Sequence, residues 1–165
     1  MKNFYDGKVY LVFSMVCLAV SVFLFSVSFY SVTKIEPKAA NFIALGEKAS
    51  AGKTDAVDAS TQNEMNQNYT EAFNILKSGQ MFALYQNFDS NAMTAKKVLS
   101  YMENIVKTKG NFPPDTSIYL GTLLERRHSG AMLGRNTGIF FASLSIVSLL
   151  FFLNEKRRKA SKWFL

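Results

Sequence analysis

The sequence predicts an all-α membrane protein in which two transmembrane helices flank a small extracytoplasmic helical domain. Three observations predict it. Two long apolar runs bracket the middle of a 165-residue chain, the segment between them is polar with apolar residues at helical spacing, and a dense basic cluster follows the second run.

The first run, Val9 to Val32, is uninterrupted by charge and bounded by Lys8 and Lys34. At 1.5 Å per residue it covers roughly 36 Å, enough for a hydrocarbon core of ~30 Å with some tilt. A competing expectation is a leader cleaved near Ser26-Val27-Ser28, but the run exceeds an ordinary leader core and continues past that point. The second run, Gly138 to Leu153, is roughly 24 Å of helix and reaches full length only by drawing in Ala131 to Leu133, which puts Arg135 at its edge. An arginine there keeps its stem in the apolar zone and its guanidinium among headgroups, so Arg135 is expected to mark the outer interface.

Orientation follows from the basic residues beside the spans. Lys156, Arg157, Arg158, Lys159 and Lys162 form a cytoplasmic stop signal, and Trp163 adds an aromatic suited to the inner interface. The expected organisation is a cytoplasmic N-terminus over 1–8, transmembrane helices over 9–32 and 133–153, a periplasmic helical domain over 33–132 and a basic cytoplasmic tail over 154–165. Both termini then lie in the cytoplasm, with the chain in a bacterial inner membrane.

Within the central segment, Pro37 is placed to open a short helix that Gly46 ends. Residues 49–62 read as a small, polar linker. Met65, Tyr69, Phe73 and Leu76 share one helix face, Gly79 bends or ends that helix, and Met81, Phe82, Leu84, Tyr85 and Phe88 form the turns after it. Ser90 or Asn91 caps another helix carrying Val98, Met102, Ile105 and Val106, which Gly110 stops. Pro113 and Pro114 force a break, and the last helix starts at Asp115 or Thr116 with no proline to keep it from running on into the second span.

The charge argues against nucleic acid as a partner. Formal net charge is +7, but the segment 33–132 is nearly balanced and the excess sits mainly beside the second run. One cysteine and one histidine build neither a disulfide nor a common zinc site, so no metal or cofactor is expected. Neither a phosphate-binding loop nor a nucleophile motif occurs, and an enzyme is not expected.

Two features invite a functional reading. Gly130, Gly134, Gly138 and Ala142 recur every four residues, and Ser14, Cys17, Ser21 and Ser28 form a comparable stripe on the first span. Small residues at such spacing let helices approach closely in lipid, so the stripes are expected to face each other or a second copy. Glu125-Arg126-Arg127-His128 is the densest ionisable cluster of the central domain and reads as a solvated face. Asn68-Tyr69-Thr70 fits the glycosylation acceptor pattern.

Lipid, other membrane subunits or a second copy are thus the expected partners, and the expected role is a non-catalytic accessory or scaffolding subunit of a membrane assembly. Two spans around a helical outer domain also resemble, in architecture, the input half of chemoreceptors. That resemblance implies ligand sensing through a separate cytoplasmic partner, because the tail is too short to signal. An oligomeric channel or transporter component is the third class.

Overall fold

A computed structural model describes residues 7–50, 58–77, 92–113 and 115–161. The bend at Gly79, the aromatic turns from Met81 to Phe88, the caps at Ser90 and Asn91, and the tail residues Lys162 and Trp163 lie outside the described residues. Among the described residues every regular element is helical. In order these are α1 (Lys8–Tyr30), a π-helical turn (Ser31–Ile35), α2 (Glu36–Ser50), α3 (Ala59–Lys77), α4 (Ala92–Thr108) and α5 (Thr116–Ser161). Two helical stretches, Lys8–Ala49 and Thr116–Lys159, are long and apolar enough to cross a membrane.

The chain divides into two compact units. The first comprises Met1–Ser28 and Leu133–Leu165, the second Phe29–Met132. Unit 1 pairs α1 with the C-terminal part of α5. Its outward side chains are large and apolar, with Val12, Val16, Ile146 and Leu150 all more than half exposed. Its buried positions are small and weakly polar, namely Ser14, Cys17, Ser21, Ser145 and Ser148. That distribution, apolar outside and weakly polar inside, is the reverse of the usual soluble pattern.

Unit 2 packs α2, α3, α4 and the start of α5 around one core. Tyr69, Phe73, Met65, Met102 and Leu120 are its largest fully buried side chains, and each contributes about 1.5–3 kcal/mol by leaving water. Asp58 caps α3, accepting from the Thr61 amide at 3.0 Å, so the helix begins earlier than apolar spacing alone predicts and takes in the end of the expected linker.

Three expectations are corrected here. Pro37 does not open a separate helix, because the π-turn joins α1 to α2 and the missing proline amide falls at that join. Gly46 does not end α2; it is buried where the Tyr69 ring packs against the helix. Gly110 is not the left-handed residue after α4. Lys109 takes that role with φ 50°, while the Gly110 amide reaches the Ile105 carbonyl at 3.0 Å and the Lys109 amide reaches Val106 at 3.3 Å. This is the paired-bond helix stop with its glycine one residue late. Lys109→Gly is accordingly expected to raise stability by about 1 kcal/mol, since glycine enters that region freely; an unchanged melting temperature would contradict the strain.

The π-turn also resets which residues are buried. On α1 the buried positions are Ser14, Cys17, Ser21 and Ser28, and an unbroken alternation of three and four would continue through Ser31 to Ile35. Past the turn they are instead Glu36, Ala39, Ile43 and Gly46. One extra residue in the turn, bonded from the Glu36 amide to the Ser31 carbonyl, puts a carboxylate where an isoleucine would have gone.

Candidate functional site

Unit 1 carries a polar seam between its two helices. Ser14 and Ser145 bond reciprocally: Ser14 Oγ donates to the Ser145 carbonyl at 2.9 Å, and Ser145 Oγ donates to the Ser14 carbonyl at 2.9 Å. Their hydroxyls stand 3.0 Å apart. One helical step of seven residues away, Ser21 Oγ donates to the Gly138 carbonyl at 2.8 Å. Ser28 is buried, and its hydroxyl has no hydrogen-bond partner among the described residues.

Of the small residues singled out by sequence, Ser14, Cys17, Ser21 and Ser28 are buried, as are Gly134 and Gly138, while Ala142 is half-buried. A methyl group on Gly138 would sit 3.4 Å from the Phe25 ring and 3.5 Å from the Leu24 Cβ, so glycine there sets how closely the helices approach. Gly130 is buried within unit 2. Arg135, Lys156, Arg157, Arg158 and Lys159 are at the surface. Sequence reading missed Ser145 and Ser148. A step of seven from Gly138 reaches Ser145, which the four-residue repeat of glycines does not continue to.

The seam makes a quantitative expectation. Interhelical hydrogen bonds in lipid are worth roughly 0.6 kcal/mol each, so Ser14→Ala and Ser145→Ala each weaken the pair by about 1 kcal/mol. Each hydroxyl donates to a backbone carbonyl that the other substitution leaves in place, so the double variant should lose about the sum of the singles. Thermal unfolding in detergent measures this, and no loss from either single variant would count against the reciprocal bonds.

Unit 2 holds a second polar site, around Glu36. Ser31 Oγ donates to Glu36 Oε1 at 3.2 Å, and Arg127 Nε donates to Ser31 Oγ at 3.0 Å. A second guanidinium nitrogen of Arg127 donates to the Leu76 carbonyl at 3.3 Å. His128 Nδ1 lies 2.7 Å from Glu36 Oε2. Ser31, Glu36 and Arg127 are buried, whereas the His128 side chain is half exposed. Burial pushes the Arg127 guanidinium below its ordinary pKa, and the Glu36 carboxylate opposes that by favouring the charged form.

The reading of residues 125–128 as a solvated face is therefore corrected at Arg127. Its partners lie 51 and 96 residues away in sequence, and a charge run on one helix carries no sign of them. The glycosylation pattern likewise lies inside α3, with Tyr69 fully buried between Asn68 and Thr70.

A polar groove runs beside α3 and the end of α4. Asn63, Gln67, Thr70 and Lys109 line it above Ile105, Val106 and Phe112, enclosing about 380 Å³. Asn66 organises one end, accepting from the Phe112 amide at 2.9 Å and donating to Asn111 Oδ1 at 3.0 Å. Among the described residues no group of His, Cys, Asp and Glu is arranged to hold a metal.

These features define an all-helical protein with two helices able to cross a membrane, a serine-bonded helix pair and a separate helical unit closed around a buried ionic cluster. Comparison with protein-family models, curated proteins and solved structures found no match.

Proposed function

We propose that the chain is a non-catalytic accessory subunit of a membrane-embedded assembly, held in a bacterial cytoplasmic membrane by two spans. Both termini lie in the cytoplasm and unit 2 lies in the periplasm. The observation that carries this reading is the inverted hairpin of unit 1: its hydrogen-bonding groups are turned inward onto Ser14, Ser21, Gly138 and Ser145, and its outside is apolar. Such a pair is pre-assembled and offers neighbouring helices a largely apolar surface. Unit 2 spends its buried charges on internal bonds, which suits a rigid spacer.

Two experiments test the reading. Cysteines placed at Ser50 and Ser161 in a Cys17→Ser background are expected to react from opposite sides of the membrane; reaction from one side overturns the hairpin topology. Cross-linking in intact membranes followed by native electrophoresis should give a discrete assembly, and a protein found only as a monomer sinks the scaffold role.

A second reading, ligand sensing, is favoured by the groove beside α3. Its volume falls within the range of small-molecule sites, with amide groups above an apolar floor. Thermal shifts of the full-length protein against amino acids and sugars test it, and no shift with any compound removes it.

A further inference from the structure

The serine contacts of unit 1 set the relative levels of its helices. Ser14 meets Ser145 and Ser21 meets Gly138, equal and opposite steps along an antiparallel pair. Gly138 also abuts Leu24 and Phe25. Arg135, one turn before Gly138 on α5, therefore stands level with about Leu24. Within unit 1 the uncharged run continues beyond Leu24 to Ser28, roughly 6 Å more at a helical rise. Arg135 thus lies on the flank of the apolar unit, about one helical turn inside its outer end.

Arg135 is exposed, with exposed Ile139 one turn further along the same face of α5. It makes no hydrogen bond or ion pair among the described residues. A charge one turn inside an apolar unit is costly unless its head group reaches a polar partner. Side chains on a helix lean toward its N-terminus, and on α5 that direction leads from Arg135 toward Gly130 and Arg126, away from the basic tail. The guanidinium therefore leans toward the outer headgroups, and its planar fork matches a phosphate bidentately.

We propose that Arg135 binds the phosphate of a phospholipid drawn inward against the flank of the hairpin. The proposal rests on the membrane reading above. Free phosphate shares the chemistry, but exposed Ile139 on the same face makes a lipid, with an acyl chain to lie along it, the fitting source. A carboxylate on a partner helix is the competing occupant.

The test uses the full-length protein in nanodiscs of phosphatidylcholine and phosphatidylglycerol, released for native mass spectrometry, with retained phospholipid counted. The wild type should keep a phospholipid that Arg135→Leu retains at least about tenfold less, with Arg135→Lys between them because a point charge replaces the fork. Excess inorganic phosphate should not displace it. Equal retention by wild type and Arg135→Leu overturns the proposal, as does displacement by inorganic phosphate or a stoichiometric protein partner lost with Arg135→Leu. Unchanged helicity of the variants excludes misfolding, which is not expected at a lipid-facing position. Failure of the membrane reading is distinguishable: alkaline carbonate would then extract the wild type from membranes before any lipid is counted.

Discussion

Glu36→Ala is expected to destabilise unit 2 by about 3 kcal/mol, because removing one member of a buried ionic cluster strands the other. Arg127 is only 8% exposed and would keep just the Ser31 hydroxyl and the Leu76 carbonyl. For a unit of this size the loss corresponds to a fall in melting temperature of about 10 °C or more. Glu36→Gln keeps an acceptor for Ser31 and His128 while losing the charge, so it should fall between Ala and wild type. Paired replacement by Leu at Glu36 and Met at Arg127 should recover most of the loss, since well-packed apolar groups can substitute for buried opposite charges, here bridged by the Ser31 hydroxyl. A thermal-unfolding cycle measures the coupling. If Glu36→Ala costs as much in an Arg127→Met background as in the wild type, the two charges are independent and the cluster as described is wrong.

Local sequence carries the features that act locally. Apolar spacing located the buried faces of α3 and α4, because Met65, Tyr69, Phe73 and Leu76, and likewise Met102 and Ile105, repeat at the helical period along one element. Charge-free length found the two helices that can cross a membrane. What escaped depends on pairs distant along the chain. Arg127 and Ser31 are 96 residues apart, so a basic side chain in a charge run looks the same whether it faces water or a carboxylate. The seam was half legible: the serines of α1 stood out as a stripe, whereas Ser145 hid among Phe and Leu until its contact with Ser14 selected it. The π-turn was illegible for another reason. A one-residue insertion leaves composition unchanged, and only the shift of burial from Ile35 to Glu36 reveals it. Gly46 misled because glycine in a helical segment reads as a stop, and its use as a notch depends on a ring from another helix.

Gly46→Ala should lower the stability of unit 2 by about 2 kcal/mol, the cost of forcing an extra methyl group into a packed core. The new Cβ would stand 2.7 Å from Cδ1 and 2.9 Å from Cζ of Tyr69. The ring cannot swing aside, because Tyr69 is fully buried with Met65 and Ala72 in the same core. Alanine improves helix propensity by about 1 kcal/mol over glycine, which is too little to offset that overlap. Gly121 on α5 supplies the internal control: nothing lies within 4 Å of where its Cβ would be, so Gly121→Ala should gain up to about 1 kcal/mol from propensity alone. The two substitutions are chemically identical and should move the melting temperature in opposite directions. Shrinking the obstacle should also relieve the loss, so Gly46→Ala combined with Tyr69→Leu is expected to cost less than the two single losses added. If Gly46→Ala instead stabilises the protein as Gly121→Ala does, the close approach of α2 to α3 is not the packing that holds unit 2 together.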